Sequence, residues 1–464
     1  MAFPVDLRRC QVLGLAGTVF LALGGETTGA LPVRELLSPA SAPAALGLVA
    51  VYVGIVLLIA AWALLGRLVH SAAPPPPRAL LPVLAVWAAP LLLAPPLFSR
   101  DVYSYLAQGA MVHTHLDVYA HGPAALGGPL ADEVAPVWRH TAAPYGPVFL
   151  GVASVLSALT RGDPATGLLG MRLVALTGLA LMAAALPRLA GRSGVDPAAA
   201  LWLGALNPLV LLHLVAGAHN DALMLGLLGV GLIAALDRRT ILGAVLVTLA
   251  ALVKAPAALG LLAVVAVGAR SGSRLPRVVL TTIGAAAATT VVATAVADTG
   301  YGWAGALDTP VSPHNWALTT LLGRATSALL GGLDSPLAPL AIPVWHVLGL
   351  AATAVAVLVI WLRLRAAPVY ALGLNLAALA ALGPAIRPWY ALWGLFLIAA
   401  AAPSTAVRHR AAALTGALAL AVLPSGAAAD TGQLVLAASG AVLGVVVLWQ
   451  ARQAQLAPAL GRTA

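Results

Sequence analysis

The sequence predicts an all-α polytopic membrane protein, and composition is the first observation that does so. Of 464 residues, 61% are hydrophobic and 9% are charged, and the mean hydropathy is +0.97. A soluble domain carries about 25% charged residues. Apolar runs also recur along the whole chain, and the basic residues lie in the short segments between them. These three observations together indicate a protein that is embedded in a bilayer.

The apolar runs define the predicted elements. A transmembrane helix needs about 20 mostly apolar residues, and by that criterion the chain predicts about 13–14 spans. The runs are 11–31, 43–66, 79–98, 166–187, 197–216, 221–236, 240–254, 256–270, 278–298, 338–362, 367–384, 388–403, 410–427 and 432–450. A shorter apolar segment, 145–159, has glycine and proline beside it and predicts a re-entrant or interfacial helix.

The distribution of basic residues predicts sidedness. With the N-terminus inside, 17 of the 25 lysines and arginines fall on the inner side and 7 on the outer side. The positive-inside rule then makes both termini cytoplasmic and exposes loops 99–165 and 299–337 on the outer face. The formal net charge of +10 is spread over many short loops, which argues against nucleic-acid binding. Since the outer loops hold most of the unusual polar residues, the sequence predicts one extracytoplasmic site.

Asp101 is the first candidate residue. A carboxylate just after an apolar run lies at or near the membrane, where charged groups are costly and are usually kept for a function. It could act as the general base that takes a proton from an acceptor hydroxyl, with Arg100 holding a phosphate or orienting the carboxylate. It could equally cap a helix that starts at Val102. Tyr103 and Tyr105 fit interfacial anchoring, the default interpretation, or sugar stacking.

Two further clusters lie at predicted outer turns. His219, Asn220 and Asp221 could bind sugar hydroxyls, although Asn or Asp at this place could simply cap the next helix. Lys254 is the only lysine in the chain and could receive a lipid-linked phosphate. Its alternative role is a side chain that extends to the membrane surface. Three polar groups at one turn, and a lone lysine among arginines, favour the functional roles.

Weaker candidates complete the predicted site. Arg387 offers a second phosphate contact, and Trp389 and Tyr390 offer a stacking platform or an aromatic belt. His314 and Asn315 are polar residues of the late outer loop. Tyr145 lies in the turn that leads into the short apolar segment, and it is included among the sugar-binding residues.

Several kinds of site are not indicated. His113, His115, Asp117 and His121 match no compact metal-ligand spacing, so we predict no metal site. Asp132 and Glu133 fit solvated loop charges. The chain has one cysteine and no nucleotide-binding or hydrolase motif of the P-loop, GxSxG or HExxH kind. Energy must then come from an activated substrate or a gradient.

Four segments carry a resemblance to a known family. They are Ser99–Tyr105 (SRDVYSY), Ala143–Pro147 (APYGP), Asn207–Leu209 with Gly217–Asp221 (NPL and GAHND), and Leu252–Lys254 (LVK). The pattern resembles the GT-C glycosyltransferases, and more closely the polyprenol-phosphomannose-dependent α-1,6-mannosyltransferases of actinobacteria. The resemblance covers roughly residues 80–400, which leaves the N-terminal 75 residues outside it.

The resemblance implies a GT-C fold and a multi-pass plasma-membrane enzyme. It implies inverting transfer of mannose from polyprenyl-phosphomannose, without a metal or other cofactor. The acceptor would be a mannan or a phosphatidylinositol-mannoside-type glycan, in lipomannan and lipoarabinomannan synthesis within the cell envelope. Asp101 would be the base, and the resemblance is consistent with Lys254, Arg387 and Arg100 at the donor phosphate.

The predicted organisation has three parts. Residues 1–75 form an N-terminal helix pair, residues 76–404 a catalytic transmembrane core, and residues 405–464 a C-terminal helix pair with a tail. Two other functions stay open at this point. One is a flippase or transporter that moves a lipid-linked sugar without chemistry. The other is a GT-C transferase for another sugar, such as arabinofuranose, or for a protein acceptor.

Overall fold

The computed structural model describes residues 6–272, 274–306, 311 and 315–460. Within these residues it contains helices and no strands, which confirms the predicted all-α class. The first nine helices are α1 (Leu7–Thr28), α2 (Ala42–Val69), α3 (Leu80–Ala88), α4 (Asp101–His113), α5 (Gly128–Glu133), α6 (Pro147–Thr160), α7 (Pro164–Ser193), α8 (Pro197–Gly204) and α9 (Asp221–Leu236). The others are α10 (Thr240–Val253), α11 (Gly260–Arg270), α12 (Leu275–Ala297), α13 (Leu318–Gly331), α14 (Ala341–Arg363), α15 (Pro368–Leu382), α16 (Ala391–Ala401), α17 (Thr405–Leu418) and α18 (Thr431–Leu460).

Six helical segments of the described chain are long and apolar enough to cross a membrane. A seventh is obtained if the helices that flank the break at Gly217–Asn220 form one interrupted span, and six shorter apolar helices accompany them. The protein is therefore a multi-pass membrane protein. The figure of 13–14 spans exceeds the number of long helices, because many of the predicted runs fold into short or interrupted helices.

The predicted run 197–216 is the clearest example of an interrupted helix. It is helical at α8, leaves the helix near Asn207 and Pro208, and resumes as a π-helix over Val210–Ala216. Proline disfavours helical geometry in the residue before it. The Asn207 side chain then accepts a hydrogen bond from the N–H of Leu209 and donates one to the hydroxyl of Thr415. Hydropathy detects the apolar run but not this break.

Three other boundaries differ from the prediction. The run 79–98 contains only the nine-residue α3 and a short 3-10 turn, and the run 410–427 is helical only to Leu418. The predicted loop 299–337 contains α13, which hydropathy did not single out. The segment 145–159 is helical as expected, in α6. Whether α6 lies in the interface or re-enters the membrane stays a prediction.

The chain divides into two compact units. Unit 1 comprises residues 1–102, 206–218 and 412–464, and unit 2 comprises residues 103–205 and 219–411. In unit 1, α1 packs on α2 through small residues: a Cβ on Gly17 would lie 2.8 Å from the carbonyl oxygen of Gly54. Small residues let helix backbones approach closely where lipid offers no hydrophobic drive for association. The predicted division at residues 75 and 404 stays a prediction.

In unit 2, α9 and α10 form an antiparallel hairpin that carries polar groups at both ends. Asp221 begins α9, Lys254 follows the last residue of α10, and the turn Asp237–Arg239 joins the two helices at the other end. The 16 residues of α9 rise about 24 Å. The two ends of the hairpin are therefore about 24 Å apart, which is most of the roughly 30 Å hydrocarbon core of a bilayer.

Candidate active site

The centre of the candidate site is a buried ion pair in unit 2. Lys254 Nζ donates a hydrogen bond to Asp221 Oδ2 at 2.8 Å, and the Asp221 side chain is completely buried. The lysine backbone is extended as it leaves α10, which places its side chain beside the start of α9. The Lys254 side chain is buried and turned toward Asp221, which is not the extended, exposed arrangement expected of a lysine that reaches for a membrane surface.

Aromatic rings surround the lysine ammonium. Its Nζ lies 5.1 Å from the ring centroid of Tyr390, 5.6 Å from that of Trp393 and 6.0 Å from that of Tyr145. Rings at this distance attract a cation through their quadrupole. Trp393 also donates its indole N–H to Asp221 Oδ1 at 2.5 Å. Tyr390 and Trp393 stack on each other, with centroids 4.1 Å apart.

Sequence reasoning missed Trp393 because it lies inside an apolar run, where tryptophan is unremarkable. Its spacing carried the only signal: it follows Tyr390 by three residues and is a neighbour of Tyr390 on a helical surface. The turn motif at Tyr145 predicts a residue of the site, and the ring of Tyr145 does lie near the lysine ammonium.

His219 lies in an adjoining cluster of unit 2. Its ring is fully buried and stacks on Trp389 with centroids 4.0 Å apart. Its Nδ1 hydrogen-bonds the hydroxyl of Tyr105 at 3.0 Å, and Tyr105 makes edge contacts with Tyr145 and Phe149. Tyr103 and Tyr105 are 2% and 0% exposed. They are therefore not interfacial anchors, because both rings pack inside the protein.

Asn220 occupies the N-cap position of α9, but its side chain makes no capping hydrogen bond. It is 2% exposed, and neither atom of its side-chain amide has a hydrogen-bond partner in the described part of the chain. Burying an amide without a partner costs free energy. The capping role that the sequence allowed for Asn220 is therefore wrong, and its amide is available to a bound polar group.

Asp101 and Arg100 lie in unit 1, on a constrained turn. The preceding residue, Phe98, is buried with φ at 66°, a left-handed conformation that is unfavourable for a bulky side chain. The N–H of Phe98 donates to the carbonyl of Pro424, and the Arg100 guanidinium donates to the carbonyl of Leu31. Strained backbone of this kind is held by its surroundings and is frequent at functional sites.

Asp101 itself is the first residue of α4, not the cap before a helix at Val102. Its N–H donates to the hydroxyl of Ser99 at 3.0 Å, so a serine side chain satisfies this N–H at the helix start. The Asp101 side chain is half-buried, and the carboxylate adds a negative charge to the positive end of the helix. The structural role of an acid at a helix start and the role of general base are therefore both compatible with this position.

The remaining predicted residues, Arg387, Asn315 and His314, differ in what they contact and in how exposed they are. The Arg387 guanidinium lies 5.7 Å from the ring centroid of Trp138. Chain length keeps its Cα within about 7 Å of that of Trp389. Asn315 is 1% exposed and accepts the N–H of Ala317 just before α13, which is a local structural role. His314 lies outside the described residues.

One loop residue was interpreted wrongly. Glu133 is 7% exposed, so it is buried and not a solvated charge, whereas Asp132 is exposed as expected. No group of three or more His, Cys, Asp or Glu side chains converges into a metal-sized cluster within the described ranges.

Comparison with known proteins assigns the family. Residues 11–270 match the model of the alpha-(1->6)-mannopyranosyltransferase N-terminal domain, and residues 319–450 match that of the MptB C-terminal domain. The chain belongs to the alpha-(1->6)-mannopyranosyltransferase family. The resemblance inferred from four motifs is thereby confirmed. Its predicted extent was too short, since the match begins at residue 11 and includes the N-terminal helices.

Curated members of this family align with this chain over most of their length. The chain is 36% identical to alpha-(1->6)-mannopyranosyltransferase A of Mycobacterium tuberculosis over 426 residues, covering 87% of this chain and 82% of the relative. It is 31% identical to alpha-(1->6)-mannopyranosyltransferase B of Corynebacterium glutamicum over 502 residues, covering 96% and 82%. No solved structure matches.

As a member of this family, the chain is a membrane glycosyltransferase, with a sugar donor and a glycan acceptor as its substrates. Membership decides against the flippase alternative, because a flippase forms no glycosidic bond.

Proposed function

We propose that this enzyme transfers mannose from polyprenyl-phosphomannose to the 6-hydroxyl of a mannoside acceptor, with inversion at C1. The observation that supports this best is the buried Lys254 ammonium, held against Asp221 beneath three aromatic rings. A fixed cation in an apolar setting suits a phosphodiester whose tail lies in the bilayer.

Lys254 and Arg387 have different tasks in this proposal. The Lys254–Asp221 pair is neutral overall, so Asp221 positions the ammonium, and Arg387 offers a second cationic contact. Both cations act on the donor phosphate, and a leaving group stabilised in place lowers the barrier to breaking the C1–O bond. Arg100, on the turn beside Asp101, is a weaker candidate for a phosphate contact.

Asp101 acts as the general base. The acceptor O6 forms a bond to C1 while the bond from C1 to the phosphate oxygen breaks, and polyprenyl phosphate leaves with the electron pair. The acceptor proton passes to the Asp101 carboxylate, which need only be ionised and correctly placed. The family resemblance and the constrained turn at Phe98–Asp101 support this role.

The sugar contacts come from the buried turn that begins α9. The Asn220 amide offers both a donor and an acceptor, which suits a pair of neighbouring sugar hydroxyls. Trp389, which stacks on His219, and Tyr390 present aromatic rings of the kind on which sugars stack. We propose a mannan or phosphatidylinositol-mannoside-type acceptor, and an active site on the extracytoplasmic face of the plasma membrane.

The test is transfer by the purified enzyme from polyprenyl-phosphomannose to a short α-mannoside. Asp101→Asn should lower kcat at least about 100-fold with an unchanged unfolding temperature, because a positioned base contributes about 10² to 10⁴. Asp132→Asn, an exposed carboxylate of the same outer loop, is the control. Substantial activity in Asp101→Asn would remove Asp101 as the base.

Further measurements test the proposed linkage, the transferred sugar and the independence from metal ions. Methylation analysis that finds a linkage other than α-1,6 would overturn the regiochemistry, and transfer from a polyprenyl-phosphoarabinose donor would overturn the sugar assignment. We expect equal rates with and without EDTA, since the proposed leaving group is stabilised by side chains. A rate that EDTA abolishes and a divalent cation restores would contradict the metal-independent mechanism.

A further inference from the structure

A second site lies at the other end of the α9–α10 hairpin. A cavity of about 760 Å³ opens there, lined by residues of the α9–α10 turn, the start of α10 and the first turns of α12. It is an open depression and not an enclosed pocket, so a ligand would lie against it while still facing its surroundings. The length of α9 puts it about 24 Å from Asp221, so it is separate from the candidate active site.

The charge of the cavity is positive. Arg238, Arg239 and Arg277 line it, and no acidic residue does. The nearest acid along the chain, Asp237, pairs with Arg192. All three lining arginines are exposed, and none makes an ion pair in the part of the chain that the structure describes. Three exposed guanidinium groups at one cavity raise the local positive potential, which favours an anion there.

Two helix starts strengthen the positive potential. α10 begins at Thr240 and α12 at Leu275, and neither has a side-chain hydrogen bond at its N-cap. The first N–H groups of a helix have no partner within it and carry part of the positive end of its dipole. Thr240, Ile241 and Leu242, the first residues of α10, line the cavity, so the positive end of this helix adds to the charge of the three arginines.

Apart from Thr240 and Thr281, the remaining lining is apolar, and this favours a ligand that has an apolar part. Ile241 and Leu242 line the cavity and are 59% and 43% exposed, and Val245 and Val278 also contribute. A small water-soluble anion would cover the arginines but not these side chains. An amphiphile with a phosphate head would cover both, and basic pockets at helix ends of membrane proteins bind such headgroups.

We infer that this cavity binds the headgroup of an anionic phospholipid from the leaflet opposite the candidate active site. The arginines and helix starts take the phosphate, and the upper acyl chains lie along Ile241 and Leu242. A bound lipid then fixes the α9–α10 turn against α12. The inference does not depend on the identity of the transferred sugar.

The experiment is lipid titration of the detergent-purified full-length enzyme, followed by native mass spectrometry. Phosphatidylglycerol is compared with phosphatidylcholine of the same acyl chains, and inorganic phosphate serves as a soluble competitor. The test variant is Arg238→Gln/Arg239→Gln/Arg277→Gln. Its matched control is Arg363→Gln/Arg365→Gln/Arg452→Gln, which removes three exposed arginines outside the cavity.

The wild type should bind phosphatidylglycerol in preference to phosphatidylcholine. The triple variant should lose affinity for phosphatidylglycerol about 100-fold and Arg277→Gln alone about fivefold, with less than a twofold change in the control. Equal loss in the control, or equal binding of the two lipids, would overturn the inference. Displacement of phosphatidylglycerol by millimolar phosphate would also overturn it, by identifying a soluble-anion site.

Discussion

Replacing Asp221 by asparagine tests the central ion pair. The carboxylate is fully buried and accepts from Lys254 at 2.8 Å and from Trp393 at 2.5 Å. Asn keeps the shape but removes the negative charge, and it leaves the ammonium inside an aromatic cage without a carboxylate. We therefore expect Asp221→Asn to destabilise the protein.

The magnitude follows from the geometry. At an effective dielectric constant of about 20, unit charges 2.8 Å apart attract each other by about 6 kcal/mol. Desolvation offsets part of this attraction, and breaking one side of a buried pair costs about 3–5 kcal/mol in practice. An unfolding entropy of about 2.1 cal/mol/K per residue gives a loss of about 1 °C in Tm per kcal/mol for a chain of this size, or about 3–5 °C.

The assay is thermal unfolding of the purified protein in one detergent at a fixed scan rate. Asp237→Asn is the matched control, because Asp237 follows the last residue of the same helix and forms an exposed pair with Arg192, worth at most about 1 kcal/mol. The double variant Asp221→Asn/Lys254→Met removes both charges and should recover most of the lost Tm. If Asp221→Asn behaves like Asp237→Asn, or if the double variant is no more stable than the single one, the reasoning is refuted.

Two further predictions concern the surroundings of the site. Gly426 has φ at +73°, and a Cβ there would lie 2.9 Å from Ser99 Cα. Gly426→Ala should therefore shift the Ser99–Asp101 turn and lower kcat about tenfold or more. Gly272→Ala is the control: φ is +89° there, so the substitution strains the backbone, but a Cβ would meet no neighbouring atom. It should leave kcat unchanged. Equal kcat in both variants would contradict this. Burial raises the pKa of Tyr119 to about 12, and its hydroxyl donates to the Tyr145 carbonyl. Its neutral form thus stabilises the fold below pH 10, and that contribution is lost as the pH rises toward 12. The ultraviolet difference between wild type and Tyr119→Phe should show no phenolate at pH 10.5, and a phenolate signal there would show that Tyr119 is accessible to solvent.

Short residue motifs predicted more of the residues that the structure brings together than hydropathy predicted of the helix boundaries. The sequence singles out Lys254 as a lone lysine and Asp221 as part of a polar turn, and the structure joins the two. Their separation of 33 residues is bridged only because α9 and α10 pair as an antiparallel hairpin. Trp393 was missed because an indole in an apolar run looks like core packing. Its hydrogen bond to Asp221 depends on the register of α16 in unit 2.

By itself, the sequence determined the all-α membrane class, the family and most of the polar residues of the candidate site. These depend on composition and short motifs, which survive any change in how the helices pack. Tertiary structure decided which of these polar residues meet and which are buried. Tertiary packing buries Glu133 and Tyr103 and pairs Lys254 with Asp221. It also leaves both atoms of the Asn220 amide without a hydrogen-bond partner in the described part of the chain. Burial and pairing are properties of distant segments in contact, so no window of sequence contains them.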